Sequence, residues 1–129
     1  MSTRAIIAVP TAKGYKTAWC WNDAFPNDLG KKLRGKFTTK ELADELASYH
    51  SFSSLFSKKE KEDFEKECPT HFGEFVELSN GSFILMHEHM GKTVAGSGKY
   101  GFFRTIQEML GQDLNYVYVF NNGKWDLYK

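Results

Sequence analysis

His87 and His89 stand two residues apart with Glu88 between them. Side chains two apart on a strand point to the same side, so the two imidazoles could share a divalent metal. A third ligand would have to come from His71, Cys68 or Glu74, and no motif spacing selects among them. The plainer reading puts both imidazoles on the solvent face of a hairpin, and no residue is assigned to a metal. Gly96-Ser97-Gly98-Lys99-Tyr100-Gly101 carries the letters of the dinucleotide fingerprint GxGxxG. That motif works between a buried parallel strand and a helix, where its glycines let the backbone approach a pyrophosphate. Here the preceding strand reads as antiparallel, and no acid about twenty positions on sits at a second strand end. Gly91-Lys92-Thr93 lacks the earlier glycine of a P-loop, since position 86 is Met86. The glycines are read as a loop that offers Lys92, Lys99 and Arg104 to an anion or a partner, and no cofactor is expected.

Nucleophilic catalysis by Cys20 or Cys68 would need a histidine nearby and a depressed thiol pKa. Cys68 lies three residues before His71, yet nothing around it matches a cysteine enzyme. Most acids sit in one charged run, where a solvated face explains them. No catalytic residue is assigned, and the chain is read as leaning away from an enzyme.

Two features point to binding. Lys31, Lys32, Arg34, Lys36 and Lys40 make a purely basic stretch, placed between two helices, that either contacts phosphates or is an ordinary solvated turn. Trp19-Cys20-Trp21-Asn22-Asp23-Ala24-Phe25-Pro26 crowds three large aromatics, an acid and a proline into a strand-to-helix junction. There Asp23 would cap the helix while Phe25 and alternate tryptophans fill the core. The same aromatics and carboxylate would also suit a pocket or an interface hot spot. Trp21, Asp23 and Phe25 are therefore candidate binding residues, with Lys31, Lys32, Arg34, Lys36, Lys92 and Lys99.

The composition limits what these residues can do. The chain has 129 residues, 41% of them hydrophobic and 16% aromatic, enough for one domain spanning 1–129 with a real core. Lys and Arg total 17 against 16 Asp and Glu, a net charge of +1. That balance argues against an acidic nucleic-acid mimic and against a general nucleic-acid coat protein. Two cysteines without a secretory signal are expected to be free and reduced. The apolar run Ala5 to Val9 is too short for a signal segment and is broken by Pro10. No apolar run approaches a membrane span. A soluble, cytoplasmic protein is expected.

The elements that must position these residues read as α+β. Arg4 to Val9 and Tyr15 to Trp21 predict an antiparallel hairpin around Lys13-Gly14. A short helix runs to Leu33 and stops at Gly35. Thr38 and Glu41 form a capping box for a helix with Leu42, Leu46 and Tyr49 along one stripe. Ser57 and Glu60 form a second, opening the charged helix KKEKEDFEKE with Phe64 as its anchor. Phe72 to Leu78 and Ser82 to His89 pair about Asn80-Gly81. Phe102, Phe103, Ile106, Met109 and Leu110 predict a helix ending at Gly111. Leu114 to Phe120 and Lys124 to Tyr128 pair about Asn122-Gly123. The expected fold is a mostly antiparallel sheet of about six strands, with three to four helices largely on one face. Hairpin edges at both ends of the chain would suit a homodimer.

The N-terminal half resembles a widespread set of small, uncharacterised bacteriophage proteins. These start with Thr-Arg and an apolar strand, then carry Tyr-Cys-His-Trp-Asp-Gly-Tyr-Pro, a Gly, a Leu and a Thr-x-Glu helix ending in Ser-Leu. The matching residues here are Thr3-Arg4, Ile6-Ile7-Ala8-Val9, Trp19 to Pro26, Leu29-Gly30, Leu33, Thr39, Glu41, Leu42, Leu46 and Ser53-Ser54-Leu55. A C-terminal hairpin bearing a tryptophan, Asn122-Gly123-Lys124-Trp125, is also similar. Trp21 and Asn22 stand where the pattern has His-Trp, and Ala24 where it has Gly, so a catalytic role for that histidine would be lost here. The resemblance implies a viral origin and a bacterial cytoplasm. Small phage proteins of this kind suggest an accessory factor that binds a host protein or ribonucleoprotein, such as an anti-CRISPR inhibitor of bacterial defence. Direct nucleic-acid contact is not favoured, and no membrane contact is expected. The alternatives are a sponge for a small ligand or nucleotide signal, and a metal-dependent hydrolase using His87 and His89.

Overall fold

The strand Ala5–Thr11 (β1) is apolar from Ala5 to Val9 because both of its faces are covered. The computed structural model describes residues 3–70, 73–87 and 102–129. In it β1 pairs antiparallel with Gly14–Cys20 (β2) on one side and parallel with Tyr116–Asn121 (β8) on the other. The parallel pairing stops at Ala8. Pro10, which has no backbone N–H to donate, lies beyond it, where β1 has a neighbour on one side only.

Nine strands in two sheets and four small helices make up the described residues, so the fold is α+β. The larger sheet has the order β3-β2-β1-β8-β9, where β3 is Ser51–Phe52 and β9 is Lys124–Tyr128. The short strand β7, Phe102–Phe103, pairs with the start of β2. The second sheet has the order β4-β6-β5, from Ser54–Phe56, Phe83–His87 and Gly73–Glu77. Two expectations are corrected here. The strands form two sheets instead of one of about six, with β1–β8 and β2–β3 parallel among otherwise antiparallel pairings, and the N-terminal hairpin lies inside the larger sheet instead of at an edge.

Alternation sorts the side chains into two cores. Ala5, Ile7, Val9, Ala18, Cys20, Tyr118 and Phe120 face one way, onto Leu33, Phe37 and Leu46, and onto Leu55 and Ile84 of the second sheet. Ile6, Ala8, Trp19, Val117 and Val119 face the other way, onto Phe103 and Met109. Helix α1 is Lys31–Lys36, entered through a π-helical turn at Pro26–Gly30. Helices α2 (Lys40–Ala47), α3 (Lys58–Glu67) and α4 (Ile106–Leu110) follow.

The local signals explain most starts and stops. Ser57 and Glu60 form the expected reciprocal cap of α3. For α2 the cap is Thr39, whose hydroxyl accepts from Leu42 N, so the Thr38–Glu41 assignment was one residue early. Asn122 and Gly123 have φ of 49° and 84°, the two positive values that a tight hairpin turn needs. Gly35 lies inside α1 instead of ending it. Phe102 and Phe103 form a strand, and α4 begins only after Thr105, which caps it with Glu108. A β-carbon on Gly14 would meet the Phe103 carbonyl oxygen at 2.6 Å, so this turn needs glycine to let β7 approach.

Residues 51–56, of which the resemblance places Ser53-Ser54-Leu55 at the end of a helix, are extended and pass from one sheet to the other. Ser53 sits at the crossing. Its N–H donates to Leu85 O at 2.7 Å, and its carbonyl accepts from Asn22 N at 2.8 Å.

Candidate functional site

The segment from Trp21 to Asp23 is held side chain by side chain against residues 51–54. Trp21 Nε1 donates to Ser51 Oγ, Asn22 Nδ2 donates to Ser53 Oγ at 2.8 Å, and Ser54 Oγ donates to Asp23 Oδ2 at 3.2 Å. All three serines are buried, and these bonds offset the cost of removing their hydroxyls from water. Asp23 adopts φ of 58°, a left-handed conformation uncommon for a residue with a β-carbon. It caps no helix, because the residue before the π-helical turn is Phe25 and no side chain caps that turn. Trp21 is half-buried, stacked on Trp19 with ring centroids 5.0 Å apart, and lies under Arg4 at 5.9 Å. Trp21 and Asp23 therefore shape the junction. Phe25 escapes it and is 48% exposed.

Two buried aromatic donors fix the chain that follows. Tyr118 Oη donates to Ala24 O at 2.7 Å, and Trp125 Nε1 donates to Phe37 O at 2.9 Å. Burial pushes the Tyr118 phenol pKa up, keeping it a neutral donor. The segment from Ala24 to Phe37 thus hangs between β8 and β9, with Leu29, Leu33 and Phe37 inward and Lys31, Arg34 and Lys36 outward. The basic stretch is helix α1 itself plus the first residue of α2, Lys40, not a connection between helices.

Lys32 behaves differently from its neighbours. Its side chain is 20% exposed, and its ammonium donates to Asp28 Oδ1 at 2.6 Å, Leu55 O at 2.7 Å and Glu60 Oε1 at 3.0 Å. One cation therefore ties α1, β4 and α3 together. Burial pulls the Lys32 pKa down, but the bonds to Asp28 and Glu60 outweigh it and leave the pKa raised. Burial likewise pushes Glu60 up, and the Ser57 N–H with Lys32 brings it below its ordinary value. Lys32 is a structural cation, not a free binding group.

Phe25, Asn27, Asp28, Lys31, Lys32, Gly35, Lys36, Ser57 and Glu60 line one open cleft of about 610 Å³. Two features that were separate in the sequence, the aromatic junction and the basic stretch, meet here. Lys31 and Lys36 make no ion pair among the described residues. Arg34 donates to Pro26 O at 3.2 Å beside the cleft. Across the Lys32 bridge lies a smaller cleft of about 230 Å³, which shares Asp28, Lys32 and Glu60 and adds Asp23, Asp63 and Glu67. Asp28, Ser57 and Glu60 were not singled out from the sequence as site residues. The spacing of Asp28 four before Lys32 was a usable signal for one of them.

Lys92, Lys99, His89 and the GxGxxG segment lie outside the described residues, as does His71. Among the described residues no group of three or more His, Cys, Asp or Glu is arranged to hold a metal. Cys20 is buried, and burial pushes its thiol up to about 12 despite its bond to Asn22 O. Cys68 is exposed. No described helix is long and apolar enough to cross a membrane. Compared with protein-family models, curated proteins and solved structures, the chain matches none.

Proposed function

We propose that this chain is a small phage-encoded accessory protein that binds a host macromolecule, as an inhibitor of a bacterial defence system such as an anti-CRISPR protein does. It works in the bacterial cytoplasm by steric block. The observation that carries the reading is the cleft where exposed Phe25 meets Lys31 and Lys36, which have no ion pair among the described residues. An aromatic anchor beside free cations suits recognition, because burying the ring drives association and the charges select the partner. The resemblance of residues 3–55 to small phage proteins supplies the biological setting.

The test is expression in bacteria armed with a panel of defence systems, CRISPR effectors included. Restored plaque formation by a targeted phage, lost in Phe25→Ala/Lys31→Glu/Lys36→Glu, is the expected result. No restoration by the intact protein across the panel, with no host factor retained on the tagged chain, contradicts the reading. A nucleotide that raises the melting temperature by mass action would favour the sponge alternative instead.

A further inference from the structure

We infer that the cleft takes a short acidic peptide segment of a protein partner, an extended stretch with carboxylates two residues apart and a large apolar side chain beside them. This rests on the binding reading above and specifies its occupant.

The charges inside the cleft decide the sign of that occupant. Two carboxylates and three ammonium groups line it. Asp28 and Glu60 are both engaged by Lys32, at 2.6 and 3.0 Å, so an incoming group meets them already compensated. Lys31 and Lys36 have no ion pair among the described residues. A basic segment meets carboxylates whose charge Lys32 already offsets, whereas an acidic one meets those two cations.

Spacing sets the register. Lys31 and Lys36 are five residues apart on α1, about 7.5 Å along the helix axis and about 140° around it, and both nonetheless line the one cleft. Alternate side chains of an extended peptide repeat at about 6.7 Å. Two acids with one residue between them therefore reach both lysines, whose flexible stems absorb the difference. Phe25, at the same cleft, supplies the surface for a neighbouring apolar or aromatic side chain.

The adjoining cleft separates a peptide from a nucleic acid. Beyond the Lys32 bridge an occupant meets Asp23, Asp63 and Glu67. A phosphate backbone carries one charge per nucleotide and would be repelled on crossing that boundary. A short peptide acidic at one end only is not. Among the described residues Phe25 is also the single aromatic lining the basic cleft, without the succession of rings on which consecutive bases stack.

The experiment is an NMR titration of the intact protein with three probes: a short synthetic peptide containing Glu-x-Glu next to Phe, the same peptide with Lys for Glu, and a short single-stranded oligonucleotide. The acidic peptide should shift the amides of residues 25–36, weaken with salt, and bind roughly tenfold less tightly to Lys31→Glu/Lys36→Glu. The lysine peptide should leave the cleft unchanged. Tighter binding by the oligonucleotide, or no cleft shifts with the acidic peptide, overturns the inference. If those shifts are absent but the cleft variant still loses its captured host partner, the occupant is misassigned and the binding reading stands. If the variant keeps its partner, both fall.

Discussion

Lys32 on α1 reaches Glu60 on α3 at 3.0 Å, across the floor shared by two clefts of opposite charge. The same ammonium holds Asp28 and the Leu55 carbonyl. Removing it leaves the Leu55 carbonyl and Asp28 without this donor and Glu60 with the Ser57 N–H alone. Lys32→Met is expected to lower unfolding stability by about 1–2 kcal/mol, since bonds to charged groups are worth more than neutral ones. Lys31→Met, on the exposed side of the same helix, should stay within about 0.5 kcal/mol of the parent. Urea unfolding of the two variants checks the contrast.

Acid should weaken this bridge. Glu60 is held below its ordinary value, so it stabilises the folded chain above that value and loses the contribution as pH falls through the lowered one. Lys32 is raised, so its contribution is complete below its ordinary value of 10.5 and is lost as pH climbs past the raised one. The melting temperature should therefore decline as pH drops below about 4.5 and again in strong alkali. Glu60→Gln should be less stable near neutrality and show a shallower decline in acid. An equally steep decline in the variant would place the acid sensitivity elsewhere.

Asp23 sets two demands against each other. Its φ of 58° favours glycine, while its carboxylate accepts from buried Ser54. Asp23→Gly relieves the backbone and forfeits the bond, so it should change stability little. Asp23→Ala keeps the strain and forfeits the bond, and should cost about 1 kcal/mol more. Paired denaturation curves measure the difference.

The two cysteines should react very differently. Cys20 is buried with its thiol raised to about 12, while Cys68 is exposed. Thiolate is the reactive form, so a thiol reagent should label Cys68 readily and Cys20 only after unfolding. Labelling of native Cys68→Ala at a comparable rate would contradict the burial of Cys20.

The sequence disclosed elements whose cause is local. Asn122-Gly123 demands its turn wherever it stands, and Ser57 with Glu60 caps α3 from within one turn. It concealed what depends on distant partners. The parallel pairing of β1 with β8 joins residues more than a hundred positions apart and leaves no local mark. The serines at 51, 53 and 54 look like loop residues until Trp21, Asn22 and Asp23 supply their hydrogen-bond partners. Phe102 and Phe103 fit a helical spacing, yet the edge of β2 draws them into a strand. For the site, the residue types of Phe25 and the lysines drew notice, but nothing local told Lys32 from Lys31. That distinction is made by Glu60 and Leu55, brought close by α3 and β4.

Affinity capture from host cells tests the central claim most directly. Tagged wild-type protein, Phe25→Ala/Lys31→Glu/Lys36→Glu, and a control with Lys13→Glu and Lys124→Glu at exposed positions should be compared at matched folding and melting temperature. The expected result is a host partner retained by wild type and control and lost by the cleft variant. A partner that stays on the cleft variant as firmly as on wild type would contradict the assignment of this cleft as the binding surface.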